Sequence, residues 1–206
     1  MEEFAGLFKV LRVVVGVFFL SSYIAKSESK FMKKIRQWFK NSKIVNLDVK
    51  NQEIELWEKL KAFLEFKKYR FGAFEREKTC EVQLEIIESY FKTYYYSIDE
   101  NELHLRVQLV EEYPVEQATD IFVLASHLNN ILRVGKVKIN VKYNYVEYHI
   151  SKNNLLFLLD EKQLVAFISS HYSVSQTLFF AYYQLINQGI PPVEIISDLL
   201  NSTEDE

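Results

Sequence analysis

The chain has 206 residues, 49% of them hydrophobic and 26% charged, with only five glycines and three prolines. Such usage fits a folded chain with a core of its own and excludes a disordered tract or a Gly/Pro-rich fibre. The single cysteine, Cys80, excludes an internal disulfide and a multi-cysteine metal centre, and a net charge of −3 disfavours a dedicated nucleic-acid-binding domain.

Charge divides the chain unevenly. Residues 1–25 are neutral overall, 26–43 carry +6, and 44–206 carry −9. The head holds an uncharged run of thirteen residues, 13–25, shorter than the roughly 20 that span a bilayer. It reads as a signal-like or membrane-associating segment, as sequence upstream of a start at Met32, or as an ordinary buried helix. In the basic neck Phe31, Ile35, Trp38 and Phe39 fall on one helical face. Lys33, Lys34, Arg36, Trp38 and Phe39 are therefore candidate contacts to an anionic membrane surface. The plainer alternative docks that apolar face on the body.

A helical extension over 46–79 follows, with Ile54, Trp57, Leu60 and Leu64 as a stripe and a break at Gly72. Thr79 suits the cap of a second helix reaching Tyr90, its inner face Val82, Ile86 and Tyr90. Then the period changes to two. Strands 94–98 and 103–110 flank a polar turn; Leu103, Leu105, Val107 and Leu109 alternate with His104, Arg106 and Gln108. Tyr94, Tyr95 and Tyr96 in succession put tyrosine on both faces of the first strand. A helix over 116–132 presents Ile121, Leu124, Ala125 and Leu128, with Gly135 read as its stop. Residues 136–150 alternate as an antiparallel hairpin with one apolar and one basic-polar face. A short apolar strand over 155–159 comes next. Asp160 caps a long helix to Gln188, with a bend expected at 173–175, and Gly189 stops it. Pro191 and Pro192 open a final helix to Leu200, before an acidic tail. The expected fold is α+β: an antiparallel sheet of about five strands with helices mainly on one face.

Residues 80–202 form the domain in this reading, and about 80–200 of them resemble the YbjN family, bacterial proteins assigned to sensory-transduction regulation. The residues that carry the resemblance are Leu128, Asn129 and Asn130 closing a helix, then Gly135, Lys136 and Val137 opening a hairpin. Tyr145, Val146, Glu147 and Tyr148 follow in its return strand, and Leu185 to Gly189 end the long helix. The resemblance implies a fold similar to type III secretion chaperones. It also implies a non-enzymatic binding or regulatory module, often dimeric, with no obligatory cofactor.

No residue pattern demands chemistry. There is no Gly-x-Ser-x-Gly, and Gly135-Lys136 lacks the rest of a phosphate loop. Cys80 has no histidine close in sequence and reads as a buried, inert thiol. The histidines 104, 127, 149 and 171 stand singly, so no metal site is expected. His104 and His149 share the polar side of the sheet and can face each other across it. The aromatic excess is better used for binding: Tyr95, Tyr143, Tyr145, Tyr148, Phe179, Phe180 and Tyr183 are the candidate protein interface. Stacking of nucleic-acid bases among Lys136, Lys138 and Lys142 is disfavoured by the acidic body. The expectation is thus a cytoplasmic, non-enzymatic protein-binding module, chaperone-like or a regulatory adaptor, engaging a protein partner or a second copy. The alternative is a membrane-tethered module held by the head and neck, with an unrecognised enzyme as the remote one.

Overall fold

The computed structural model describes residues 41–88, 90–153 and 160–201. The head, the five candidate membrane contacts, the expected strand 155–159 and the acidic end of the tail lie outside them. Met1–Asn46 and Leu47–Glu206 separate as two units; residues 41–45 of the first are helical. Among the described residues no helix is long and apolar enough to cross a membrane.

Helix α1 spans Val49–Phe66 and begins where the Asp48 carboxylate accepts the Asn51 N–H at 3.1 Å. It buries Leu56, Trp57, Leu60, Phe63 and Leu64, which turns the expected stripe away from the exposed Ile54. The next two elements correct the sequence reading. Phe71–Phe74 is a strand, β1, and Thr79–Ile87 is a second strand, β2, antiparallel to it. Thr79 therefore caps no helix, and residues 71–79 are a strand, a turn and the start of a second strand instead of a helical extension. The reason is an ambiguity of spacing: Val82 and Ile86, four apart, share a side in a helix and in a strand alike. Cys80 is also buried, and the even-numbered positions together follow the two-residue period.

β3 (Tyr90–Asp99) and β4 (Glu102–Val110) make the expected hairpin. Glu100 and Asn101 sit at φ 45° and 66° in its turn, the left-handed pair that matches the twist of two-residue hairpins. After a 3-10 turn at Val115–Gln117, helix α2 (Ala118–Ile131) buries Ile121, Leu124, Ala125 and Leu128. It ends at Leu132, whose backbone is extended, so Gly135 is not its stop. Gly135 has φ +78°, and a Cβ there would lie 2.1 Å from Ile150 Cγ2 and 2.8 Å from the Tyr148 ring. The positive φ and the close approach of the backbone to these two side chains are what require glycine.

β5 (Lys136–Asn140) and β6 (Tyr145–Asn153) complete an all-antiparallel sheet of order β1-β2-β3-β4-β6-β5. Helix α3, Glu161–Tyr183, starts at Asp160, which accepts the N–H groups of Lys162 and Gln163. It runs through 173–175 without the expected bend. Instead Ser175 is buried, donating to the Tyr172 carbonyl and bonded to the Tyr94 hydroxyl, both at 2.7 Å. A π-helical turn at Gln184–Gln188 ends at Gly189, φ 68°, and α4 follows at Pro192–Asn201.

The fold is α+β, with the helices on one face of the sheet. α3 lies over β2, β4 and β6, α1 over β3, and α2 between β5 and α4. Beneath them the strands bury Cys80, Val82, Tyr94, Tyr96, Leu105, Val107, Val146 and Tyr148. Side-chain hydrogen bonds fix the helices to the strands. The Gln176 amide donates to the Ile86 carbonyl at 2.6 Å, and the Tyr172 hydroxyl donates to the Glu85 carbonyl. Both bonds fall where the β2–β3 register shifts, satisfying backbone acceptors that the irregularity releases. On α1, Trp57 Nε1 and Lys61 Nζ both donate to Glu75, each at 2.7 Å, and they hold its carboxyl below the usual range.

Candidate binding surfaces

Two surfaces emerge from this frame. The first is the open face of the sheet. Register places Glu81, Tyr95, Arg106, His149 and Lys136 side by side on five successive strands, β2, β3, β4, β6 and β5. All five come from positions that alternate with core residues, so strand parity alone aims them away from the helices. The Arg106 guanidinium lies 5.9 Å over the Tyr95 ring. Tyr95, Arg106, Val107, Gln108, Tyr145 and Glu147 line a hollow of about 230 Å³.

Beside it the two strand histidines meet, as parity predicts. His104 Nδ1 and His149 Nε2 are 3.2 Å apart, with rings stacked at 5.4 Å. Lys138 Nζ lies 2.6 Å from His149 Nδ1. A lysine ammonium only donates, so His149 Nδ1 accepts and its Nε2–H donates to His104 Nδ1. The Nε2–H of His104 then faces Glu102 Oε2 at 3.9 Å. Burial first, then Lys138, His104, Arg106 and Lys136, push the His149 pKa down to about 4. The inner nitrogens of the pair are thus committed to each other. Among the described residues no three His, Cys, Asp or Glu side chains are placed to hold a metal.

The second surface is aromatic and lies where β3 begins, against the last turns of α3. Tyr90 is 6.0 Å from Phe179 and 6.2 Å from Tyr183, and Phe179 is 6.4 Å from Tyr183. Lys92, paired with Glu111 at 3.0 Å, covers the Phe179 ring at 5.5 Å. Tyr90 is 48% exposed and Phe180, next along α3, is 47% exposed.

The seven candidate interface residues therefore separate. Tyr95 and Tyr145 border the hollow on the open face, Phe179 and Tyr183 belong to the aromatic surface, and exposed Phe180 follows Phe179 on α3 without a ring contact to that cluster. Tyr143 stands apart in the β5–β6 turn, 60% exposed, with Lys142 4.9 Å over its ring. Tyr148 is a correction: it is 1% exposed, and its hydroxyl donates to the Val134 carbonyl at 3.0 Å. It is core, because its even position puts it on the helix-covered side. Phe179 is itself largely buried, so Tyr90 and Phe180 present most of the exposed ring surface. Sequence reasoning missed Tyr90 as a surface residue because it was placed inside the supposed helix 79–90. It missed Arg106 as a site residue although its alternation with Leu105 and Val107 set it on the polar side. Cys80 is fully buried on β2, and burial pushes its thiol up to about 12, far from nucleophilic use.

No family model matches the chain, and neither does any curated protein. Among solved structures the chain is similar to the crystal structure of YbjN from E. coli, at 11% identity and a TM-score of 0.49. The match covers 63% of this chain and 93% of that one. The likeness is one of fold.

Proposed function

We propose that this chain is a non-enzymatic protein-binding module of the regulatory or adaptor kind, which engages a protein partner or a second copy through its aromatic surface. The observation that carries this reading is the Tyr90–Phe179–Tyr183 cluster, with the exposed Phe180 next to Phe179 in the chain. Rings at these separations are already packed against one another and lose little freedom on binding. Large aromatics of this kind dominate the centres of protein interfaces, while Lys92 and Glu111 supply a polar rim.

Photo-crosslinking tests it directly. With p-benzoylphenylalanine at position 180 of the full chain, irradiation in cells and of the pure protein should give one adduct of defined mass. Tyr90→Ser should reduce its yield several-fold without changing the melting transition. A smear of adducts, or a yield indifferent to Tyr90→Ser, would remove this surface as the docking site.

A further inference from the structure

We infer that Arg106, in the hollow on the open face of the sheet, binds a side-chain carboxylate of an acidic peptide segment on a partner protein. Arg106 is half-buried on β4, between Tyr95 and His149 in register. Its Nε is shut away from solvent and makes no hydrogen bond. Among the described residues the guanidinium has no ion pair. A buried donor left without an acceptor costs free energy, and native structures leave few of them. Glu147 lines the same hollow yet lies outside ion-pair distance of Arg106; its carboxylate is 3.8 Å from Lys138 instead. The Arg106 guanidinium lies over the Tyr95 ring and lines the hollow, which brings a planar carboxylate seated there within reach of a side chain suited to bidentate pairing.

Size and charge narrow the ligand. About 230 Å³ is below the usual range for cofactor pockets and leaves room for a side chain of a larger partner. Lys136 and Lys138 flank the site, making it a positive spot on a body of net −9. The low pKa of His149 reports, after burial, the same positive neighbours. The carboxylate of Glu147 in the lining opposes a dianionic phosphate more than a singly charged carboxylate. The surface around the hollow is an open sheet face, across which an extended segment can lie. None of these residues belongs to the aromatic surface, so this inference stands or falls separately from it.

The test is a nitrogen-15 NMR titration of the full chain with an amidated hexaglutamate peptide. Hexaglutamine and inorganic phosphate are the comparison ligands. Hexaglutamate should shift the Arg106 Nε–H and the amides of Tyr95 and Tyr145 saturably, whereas hexaglutamine should not. Arg106→Gln should weaken binding roughly ten- to hundredfold, the range for a lost charged hydrogen bond. Arg106→Lys, which keeps the charge and loses the fork, should weaken it about tenfold, and it serves if the glutamine variant fails to fold. Unchanged binding in Arg106→Lys, shifts that map elsewhere, tighter binding of phosphate, or no saturation with hexaglutamate would each overturn the inference.

Discussion

Within β3 three consecutive tyrosines meet two different environments. Tyr94 and Tyr96 lie wholly beneath the helices, whereas Tyr95 between them is half-buried on the open face with a guanidinium over its ring. The covered side turns polar aromatics into core. Tyr94 bonds Ser175, Tyr148 bonds the Val134 carbonyl, and His171 stacks on Tyr148 at 5.1 Å with its ring planes 12° apart. The open side keeps the same ring type available for contact. Residue type does not decide the role here; parity along the strand does.

The sharpest way to break this contrast is truncation on both sides. Tyr148→Ala should lose about 3–5 kcal/mol, as other large buried aromatics do. Tyr95→Ala should lose less than about 1 kcal/mol, as surface changes usually do. Guanidinium denaturation of both variants checks this, and equal losses would erase the distinction between the faces.

A second difference appears in acid. His171 is 0% exposed with neither ring nitrogen hydrogen-bonded, and burial pushes its pKa down to about 3. The unfolded chain, with an ordinary histidine near 6.5, takes up the proton first. The contribution to stability is therefore complete above about pH 6.5 and is lost as pH falls toward 3, by about 1.4 kcal/mol per unit. His171→Phe, which keeps a flat ring against Tyr148, should flatten most of that slope in melts between pH 6 and pH 4. The half-buried His149 adds a smaller slope of the same sign, screened by water. A slope untouched by His171→Phe would place the acid sensitivity on the open face instead.

A further effect concerns how a helix meets the sheet. Asn129 on α2 accepts the Val137 N–H at 2.7 Å and donates to the Val137 carbonyl at 3.0 Å. Asn129→Ala should cost about 1–3 kcal/mol, two ordinary hydrogen bonds, read from the denaturation midpoint.

Both central hairpins, α2 and the capped start of α3 were legible because their spacing admits one period only. β2 was not, since Val82 and Ile86 satisfy two periods, and the expected helix hid the alternation that Cys80 begins. β1 was hidden by its brevity: four residues around Gly72 carry no period, and only pairing with β2 makes them a strand. On the open face, the meeting of His104 and His149 followed from alternation alone. The aromatic surface did not follow, because the contact of Tyr90 with α3 joins residues almost ninety positions apart in sequence, and no local pattern encodes it. Asn129, Gly135 and Val137, noticed in sequence as a pattern of turns, have a common cause. They form the joint at which α2 and β5 close against β6.

That joint has a further consequence for how copies of the chain can meet. The rim of a sheet is a template, because its unpaired amides and carbonyls invite another strand to add and, repeated, to polymerise. At β5 the invitation is withdrawn at Val137, where the Asn129 amide already occupies both outward backbone groups. At the far rim β1 offers only four residues, too few for a long ladder. Growth by strand addition would have to evict Asn129 on one side and begin from a stub on the other. Any association between molecules would thereby be steered to side-chain surfaces, where composition can select a partner, and away from backbone, which accepts any.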